Sequence, residues 1–217
     1  MLAGNDRGPL TAVLAYAELL SESKGDDRQR KSLYQEIRSA VSRMTELISS
    51  LLEFSKAQDS LQLAYGDLFD SLQRTIETVR LRPEFSKIEI RLGHEGPTEG
   101  WFDFKKLDRA FHNLLLNACE AVPAATGKID VRAMRVNDQV EIAVSDNGAG
   151  IPESVRDEVF QPFVTYGKEG GTGLGLAVAQ KIATDHGGNV KIESTGPSGT
   201  TIKLSVPFAR PSKPSVA

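Results

Sequence analysis

The sequence predicts an α+β protein: a helical hairpin that pairs with a second copy as a dimeric four-helix bundle, followed by an α/β two-layer sandwich. Three observations carry this. Leu33, Ile37, Ala40, Met44, Leu47, Leu51 and Phe54 alternate in steps of four and three, a seam kept for about three heptads. Strand-like alternation recurs later in pairs, with helical patterns between them. Two glycine clusters, DNGAGIP from Asp146 and GGTGLGLA from Gly170, join a strand end and a helix start.

Composition sets the limits. The chain has 217 residues, 40% of them hydrophobic, enough for one or two packed domains. A net charge of -3 argues for neither a nucleic-acid partner nor an anionic membrane surface. The single Cys119 excludes an internal disulfide and fits a reducing cytoplasm. No apolar run approaches the roughly 18 residues of a membrane span, and no signal peptide is read.

Residues 9–20 place Leu10, Val13, Leu14, Ala17 and Leu20 on one helix face, with Pro9 in the first turn. Ser21 to Asp27 is a polar loop, and the seam helix follows to about Phe54. A second stripe, Val41, Ile48 and Leu52, widens its apolar face. Two helices cannot bury that much on each other, so pairing with a second copy is the expected solution. The alternative is a hairpin packed on its own C-terminal domain.

A short strand is expected near Leu61 to Ala64, and Asp67 caps a helix that turns Leu68, Leu72, Ile76 and Val79 inward. Ile88, Ile90 and Leu92 alternate as a strand, and Trp101 to Phe104 is a short strand or turn. A helix runs from about Lys105 to Val122. Ile129 and Val131, then Val140, Ile142 and Val144, form a hairpin about Asn137 and Asp138. After the glycine region a helix ends at His186-Gly187-Gly188, and a closing hairpin follows through Val206. The result is a sheet covered on one face by helices. The expected domains are 1–59, 60–208 and a disordered tail at 209–217.

The glycine clusters carry the chemistry. Gly148 and Gly150 permit positive φ and let a ligand approach the backbone. Thr172, Gly173, Leu174 and Gly175 open directly onto a helical pattern, and bare amides at a helix start bind anions, phosphate above all. The spacing fits neither a dinucleotide fingerprint nor a P-loop. Asn113 and Asn117 are four apart on the preceding helix and share a face, and their amide oxygens suit Mg2+. These features imply a nucleotide held between an acidic residue and a glycine-rich helix start.

The blocks FHNLLLNACEA, DNGAGI, VFQPF and GTGLGL, with a later SGT at Ser198 to Thr200, resemble the ATP-binding domain shared by bacterial sensor histidine kinases, gyrase and Hsp90. The resemblance covers about the last three-quarters of the chain; residues 4–60 are similar to the helical dimerisation domain of the same kinases. It implies ATP and Mg2+ as ligands, with Asn117 on the metal and Asn113 its partner. It also implies that Asp146 accepts a hydrogen bond from the adenine amine, with Thr200 as a further base contact. The segment between Phe163 and Gly173 reads as a lid, and its one cation, Lys168, either meets the β- or γ-phosphate or stays solvated. His94, His112 and His186 lie in no spacing for a metal or a nucleophile.

The resemblance further implies a cytoplasmic dimer that serves two-component signalling with a response regulator. It has one departure. Arg7, Pro9 and Leu10 match the acceptor region, but Gly4 stands at the phosphoacceptor histidine, Asn5 at its acidic neighbour and Gly8 at the residue used in phosphatase activity. Glycine has no nucleophile. The phosphoryl group would therefore go to a histidine this chain does not provide, on a His-bearing partner or in a parent sequence whose acceptor is unaltered, or the chain would act as a non-catalytic ATP-binding scaffold. A plain ATPase is disfavoured, because related hydrolases carry a glutamate base where this chain has Asn113.

Overall fold

A computed structural model describes residues 9–22, 27–55, 60–166 and 171–208. They group into two compact units: residues 9–22 and 27–55 with Gly171 and Thr172, and residues 60–166 with 173–208. The expected tail at 209–217 lies outside the described residues.

The first unit is built on α1 (Pro9–Glu22) and α2 (Asp27–Ser55), which pack on each other. Ala40 of the heptad seam is fully buried, and Leu33, Ile37 and Met44 are half-buried beside it. Of the second stripe, Val41 is 47% and Ile48 56% exposed, while the Leu52 side chain lies outside the described residues. Leu10, Leu14 and Leu19 of α1 are exposed as well. The hairpin therefore uses one apolar face internally and leaves another uncovered.

In the second unit, β1 (Ala64–Asp67) pairs antiparallel with β3 (Glu99–Phe102) as a separate two-stranded ribbon. The strand expected at 61–64 thus begins at Ala64, and Asp67 both ends it and caps α3 (Leu68–Arg80) by accepting the Phe69 N–H. β2 (Glu89–Glu95), β4 (Lys128–Val136), β5 (Gln139–Asp146), β6 (Asn189–Gly196) and β7 (Gly199–Pro207) form a five-stranded sheet in the order β2-β4-β5-β7-β6. Only β2–β4 is parallel. The β4–β5 turn holds Asn137 at φ 54°, a left-handed value asparagine tolerates.

Helices α3, α4 (Phe104–Ala121) and α5 (Gly175–Asp185) pack with the sheet. Ile129, Val131, Ile142, Leu204 and Val206, alternating along their strands, meet Leu72, Phe111, Leu114, Val178 and Ile182 of the helices in one core. Core alternation on β5 leaves Asp146 at the strand's end, where its side chain is only half-buried. The same core fixes the rotation of α4, whose buried stripe includes Leu107, Phe111, Leu114 and Ala118. Asn113 and Asn117 border that stripe and are half-buried.

Candidate nucleotide site

Two strand ends and two helix ends converge on the glycine clusters. Asp146 Oδ1 accepts the Gly148 N–H at 2.8 Å and the Thr200 N–H at 3.3 Å, so the carboxylate is fixed by backbone on both sides. The loop after it then folds against the β6–β7 turn. Gly150 has φ +81°, and a Cβ there would lie 2.8 Å from the Gly196 carbonyl carbon. Only glycine fits that place.

The second cluster starts α5. Gly173 has φ +65°, and a Cβ there would lie 2.5 Å from the Phe163 carbonyl carbon. Phe163 N–H donates to the Gly173 carbonyl at 2.9 Å, and Phe163 itself has φ 69° with 64% of its surface exposed. A left-handed phenylalanine is uncommon and costs about 1–2 kcal/mol, so this junction is held by its neighbours. Leu174 is buried and stands before Gly175 at the helix start, where no side chain caps α5.

The asparagine pair and the start of α5 adjoin. A Cβ on Gly175 would be 3.5 Å from Asn117 Nδ2 and 3.9 Å from Asn113 Cγ. The Nδ2 of Asn113 is buried with no hydrogen-bond partner. A buried amide without a partner costs about 1–3 kcal/mol, so its place next to an uncapped helix start suits a polar ligand. Amide oxygens and helix-start amides together match the chemistry of a metal–triphosphate.

The structure therefore brings Asn113, Asn117 and Gly175 together, and separately Asp146, Gly148, Gly150 and Thr200, with Gly173 and Leu174 leading into α5. Thr172 groups with the helical unit. Lys168 and Gly4 lie outside the described residues.

The three histidines sit elsewhere. His94 packs against Phe69 in a tilted arrangement, ring centroids 4.5 Å apart. His112 is half-buried, and burial followed by the nearby Arg82 charge lowers its pKa. His186 ends α5: its Nδ1 faces the Ile182 carbonyl at 2.8 Å and its Nε2 accepts the Asp103 N–H at 3.3 Å. Burial lowers the His186 pKa, as its accepting Nε2 requires. Burial also pushes the Cys119 thiol up to about 11, so it stays protonated.

Two supports went unread in the sequence. Asp103, 4% exposed, caps α4 through Lys106 N–H and also accepts the Gln62 N–H at 3.0 Å. An aspartate directly before a helical pattern is a capping signal, so the first half of that role was legible. Thr195, on β6, accepts the Ile151 N–H at 2.7 Å and bonds Thr200 Oγ1 at 3.0 Å. No local pattern announces it.

A mixed sheet under three helices, with an acidic strand end, an asparagine pair and a glycine-rich helix start, defines an ATP-binding sandwich of the kinase class. Residues 102–210 match the family of histidine kinase-, DNA gyrase B-, and HSP90-like ATPases, and residues 7–60 match the His Kinase A (phospho-acceptor) domain. The chain belongs to this family and has the domain make-up of a histidine kinase catalytic core.

It is 34% identical over 209 residues to the alginate biosynthesis sensor protein KinB of Pseudomonas aeruginosa, covering 93% of this chain and 35% of that protein. It is 30% identical to the signal transduction histidine-protein kinase AtoS of Escherichia coli, covering 93% of this chain and 33% of AtoS. The chain thus spans about a third of the length of the curated relatives it matches. Among solved structures, full-length ShkA in complex with AMPPNP superposes with a TM-score of 0.72 at 27% identity, over 96% of this chain and 45% of ShkA. The mycobacterial sensor histidine kinase MprB gives 0.60 at 30% identity, over 66% of this chain and 97% of that one. Among the described residues no helix is long and apolar enough to cross a membrane.

Proposed function

We propose that the chain is the ATP-binding core of a two-component sensor histidine kinase, one that passes the ATP γ-phosphate to a histidine absent from the usual place in this chain. The observation that carries the reading is the meeting of the asparagine pair with the start of α5, where Asn113 holds a buried amide with no partner. Asp146 takes the adenine amine, and Gly148, Gly150 and Thr200 line the base. The amides of Thr172, Gly173, Leu174 and Gly175 hold the triphosphate, which the α5 dipole favours. Asn117 would ligate Mg2+, and Lys168, which lies outside the described residues, would either meet the outer phosphates or stay solvated. Bound Mg2+ neutralises charge on the phosphate oxygens.

Transfer would break the bond from the γ-phosphorus to the β–γ bridging oxygen, which leaves on ADP, and form one to a nitrogen of the accepting imidazole, whose N–H proton passes to solvent. Domains divide at 59/60, and the uncovered apolar stripe of the hairpin pairs with a second copy, in the cytoplasm, to engage a response regulator. Support for the dimer is Val41, Ile48, Leu10 and Leu14, exposed on one chain.

Titration calorimetry with ATP, with and without Mg2+, tests the site. The unaltered chain should bind with Mg2+ dependence, and Asn117→Ala should remove that dependence while ATP alone still binds weakly. Binding that ignores both Mg2+ and Asn117 contradicts the assignment. Gly4 favours a second reading, a dimeric ATP-binding scaffold that regulates a signalling partner without phosphoryl transfer. Transfer in trans to an added His-bearing helical domain separates the two.

A further inference from the structure

The β6–β7 hairpin is irregular at one point, and the irregularity redirects a side chain. Val190 pairs with Leu204 and Ile192 with Ile202; Val190, Leu204 and Ile202 are in the helix-covered core, and Ile192 shares their face as the residue opposite Ile202. Regular alternation would next turn Ser194 inward and Thr195 outward. The register shifts between Ile192 and Ser194, so Glu193 is the extra residue and Thr195 comes opposite Thr200. Directly opposed residues share a face, so the bulge brings Thr195 to the side where Thr200 is buried. The extra residue is anchored on the other face, where Glu193 pairs with Lys203 at 2.6 Å and Lys203 also reaches Glu141 at 3.0 Å.

Hydrogen-bond bookkeeping at Thr195 leaves its hydroxyl proton available to Thr200. Thr195 Oγ1 accepts the Ile151 N–H at 2.7 Å, from the loop that follows Asp146. A hydroxyl has one proton, and Thr200 Oγ1 lies 3.0 Å away. Thr200 also donates its backbone N–H to Asp146 Oδ1. We propose that Thr195 is a positioning residue for base recognition: it donates its O–H to Thr200 Oγ1, which leaves the Thr200 O–H to be donated to the ligand base. Successive donors in such a chain polarise one another, which favours one direction throughout. Thr195 does not itself touch the ligand.

The consequence is chemical selectivity, and it rests on the nucleotide-site reading above. Beside Asp146 the edge offers an acceptor, the carboxylate, and a donor, the Thr200 hydroxyl. That pair fits adenine, whose exocyclic amine donates and whose ring N1 accepts. It mismatches guanine and hypoxanthine, whose N1–H donates and whose O6 accepts. Without Thr195 the Thr200 hydroxyl is free to reverse.

The test uses the full chain with ATP and with 1-deaza-ATP, which replaces ring N1 by C–H and keeps the amine. Thr195→Val should weaken ATP about fivefold to tenfold more than it weakens 1-deaza-ATP, the scale of one hydrogen bond, since the stranded Ile151 N–H affects both ligands alike and cancels in the ratio. Thr195→Ser should restore ATP binding. The unaltered chain should itself prefer ATP to 1-deaza-ATP by a similar factor, a measurement that needs no variant to fold. Equal losses for both ligands, no loss for either, or no preference in the unaltered chain overturns the proposal. Failure of the unaltered chain to bind either ligand instead removes the nucleotide-site reading beneath it.

Discussion

Replacing Gly150 by alanine tests whether the Asp146 loop is locked against the β6–β7 turn. Two costs add. Alanine at φ +81° takes a left-handed conformation that costs about 1–2 kcal/mol. Its Cβ would also lie 2.8 Å from the Gly196 carbonyl carbon and 3.1 Å from the Gly196 nitrogen, with the carbonyl oxygen nearer still. These are backbone atoms at the end of a hydrogen-bonded strand, so they cannot swing aside as a side chain would. Overpacking of this kind costs about 1–3 kcal/mol. The total is about 2–5 kcal/mol, or a melting temperature lower by roughly 4–20 °C. If the loop yields instead, the Ile151 N–H leaves Thr195 and Asp146 loses its setting, so ATP affinity falls at least tenfold. Gly93→Ala is the control, since a Cβ there meets nothing within 4 Å. Differential scanning calorimetry and ATP titration on both variants decide. A Gly150→Ala protein as stable as Gly93→Ala, with unchanged ATP affinity, would refute the reasoning.

Asp146→Asn keeps an oxygen for the Gly148 and Thr200 amides, so stability should change by less than about 1 kcal/mol while ATP affinity falls about 10- to 100-fold, the range for a bond to a charged acceptor. Parallel unfolding and binding curves check it; equal effects on both count against the base-contact role. Asp103→Ala removes the α4 cap and strands the Gln62 N–H, and should cost about 2–4 kcal/mol in urea unfolding. A loss under about 0.5 kcal/mol would show that network to be unimportant. His186 and His112 both have pKa values lowered by burial, so the unfolded chain takes up protons first on acidification. Their contribution is complete above about pH 6.5, the ordinary histidine value, and is lost as pH falls from there toward the lowered folded values. Urea midpoints should decline across that window, and His186→Gln should flatten the decline; an unchanged slope contradicts it.

Much of the architecture was legible because periodicity reports burial directly. The helix of Leu72, Ile76 and Val79 and the strands of Val140, Ile142 and Val144 lie where their spacing put them. The glycines were legible because positive φ and close approach at Gly150 and Gly173 exclude a Cβ. Strand β1 was displaced by a few residues, since its partner residues on β3 are 32 or more positions away and AYGD has no alternation of its own. Thr195 was illegible for a sharper reason. A bulge inverts the face of every residue beyond it, and nothing local in KIEST marks the inversion. The Asp103–His186 bond joins residues 83 apart, and no spacing rule reaches that far.

The most direct test of the kinase reading is phosphoryl transfer. The chain would be incubated with γ-labelled ATP and Mg2+, alone and as Gly4→His, and acid-labile phosphate on protein scored. The account predicts label on Gly4→His and none on the unaltered chain. Label on the unaltered chain would contradict the placing of Gly4 at the acceptor position, and no label on either, with ATP bound by both, would contradict the phosphotransfer function itself.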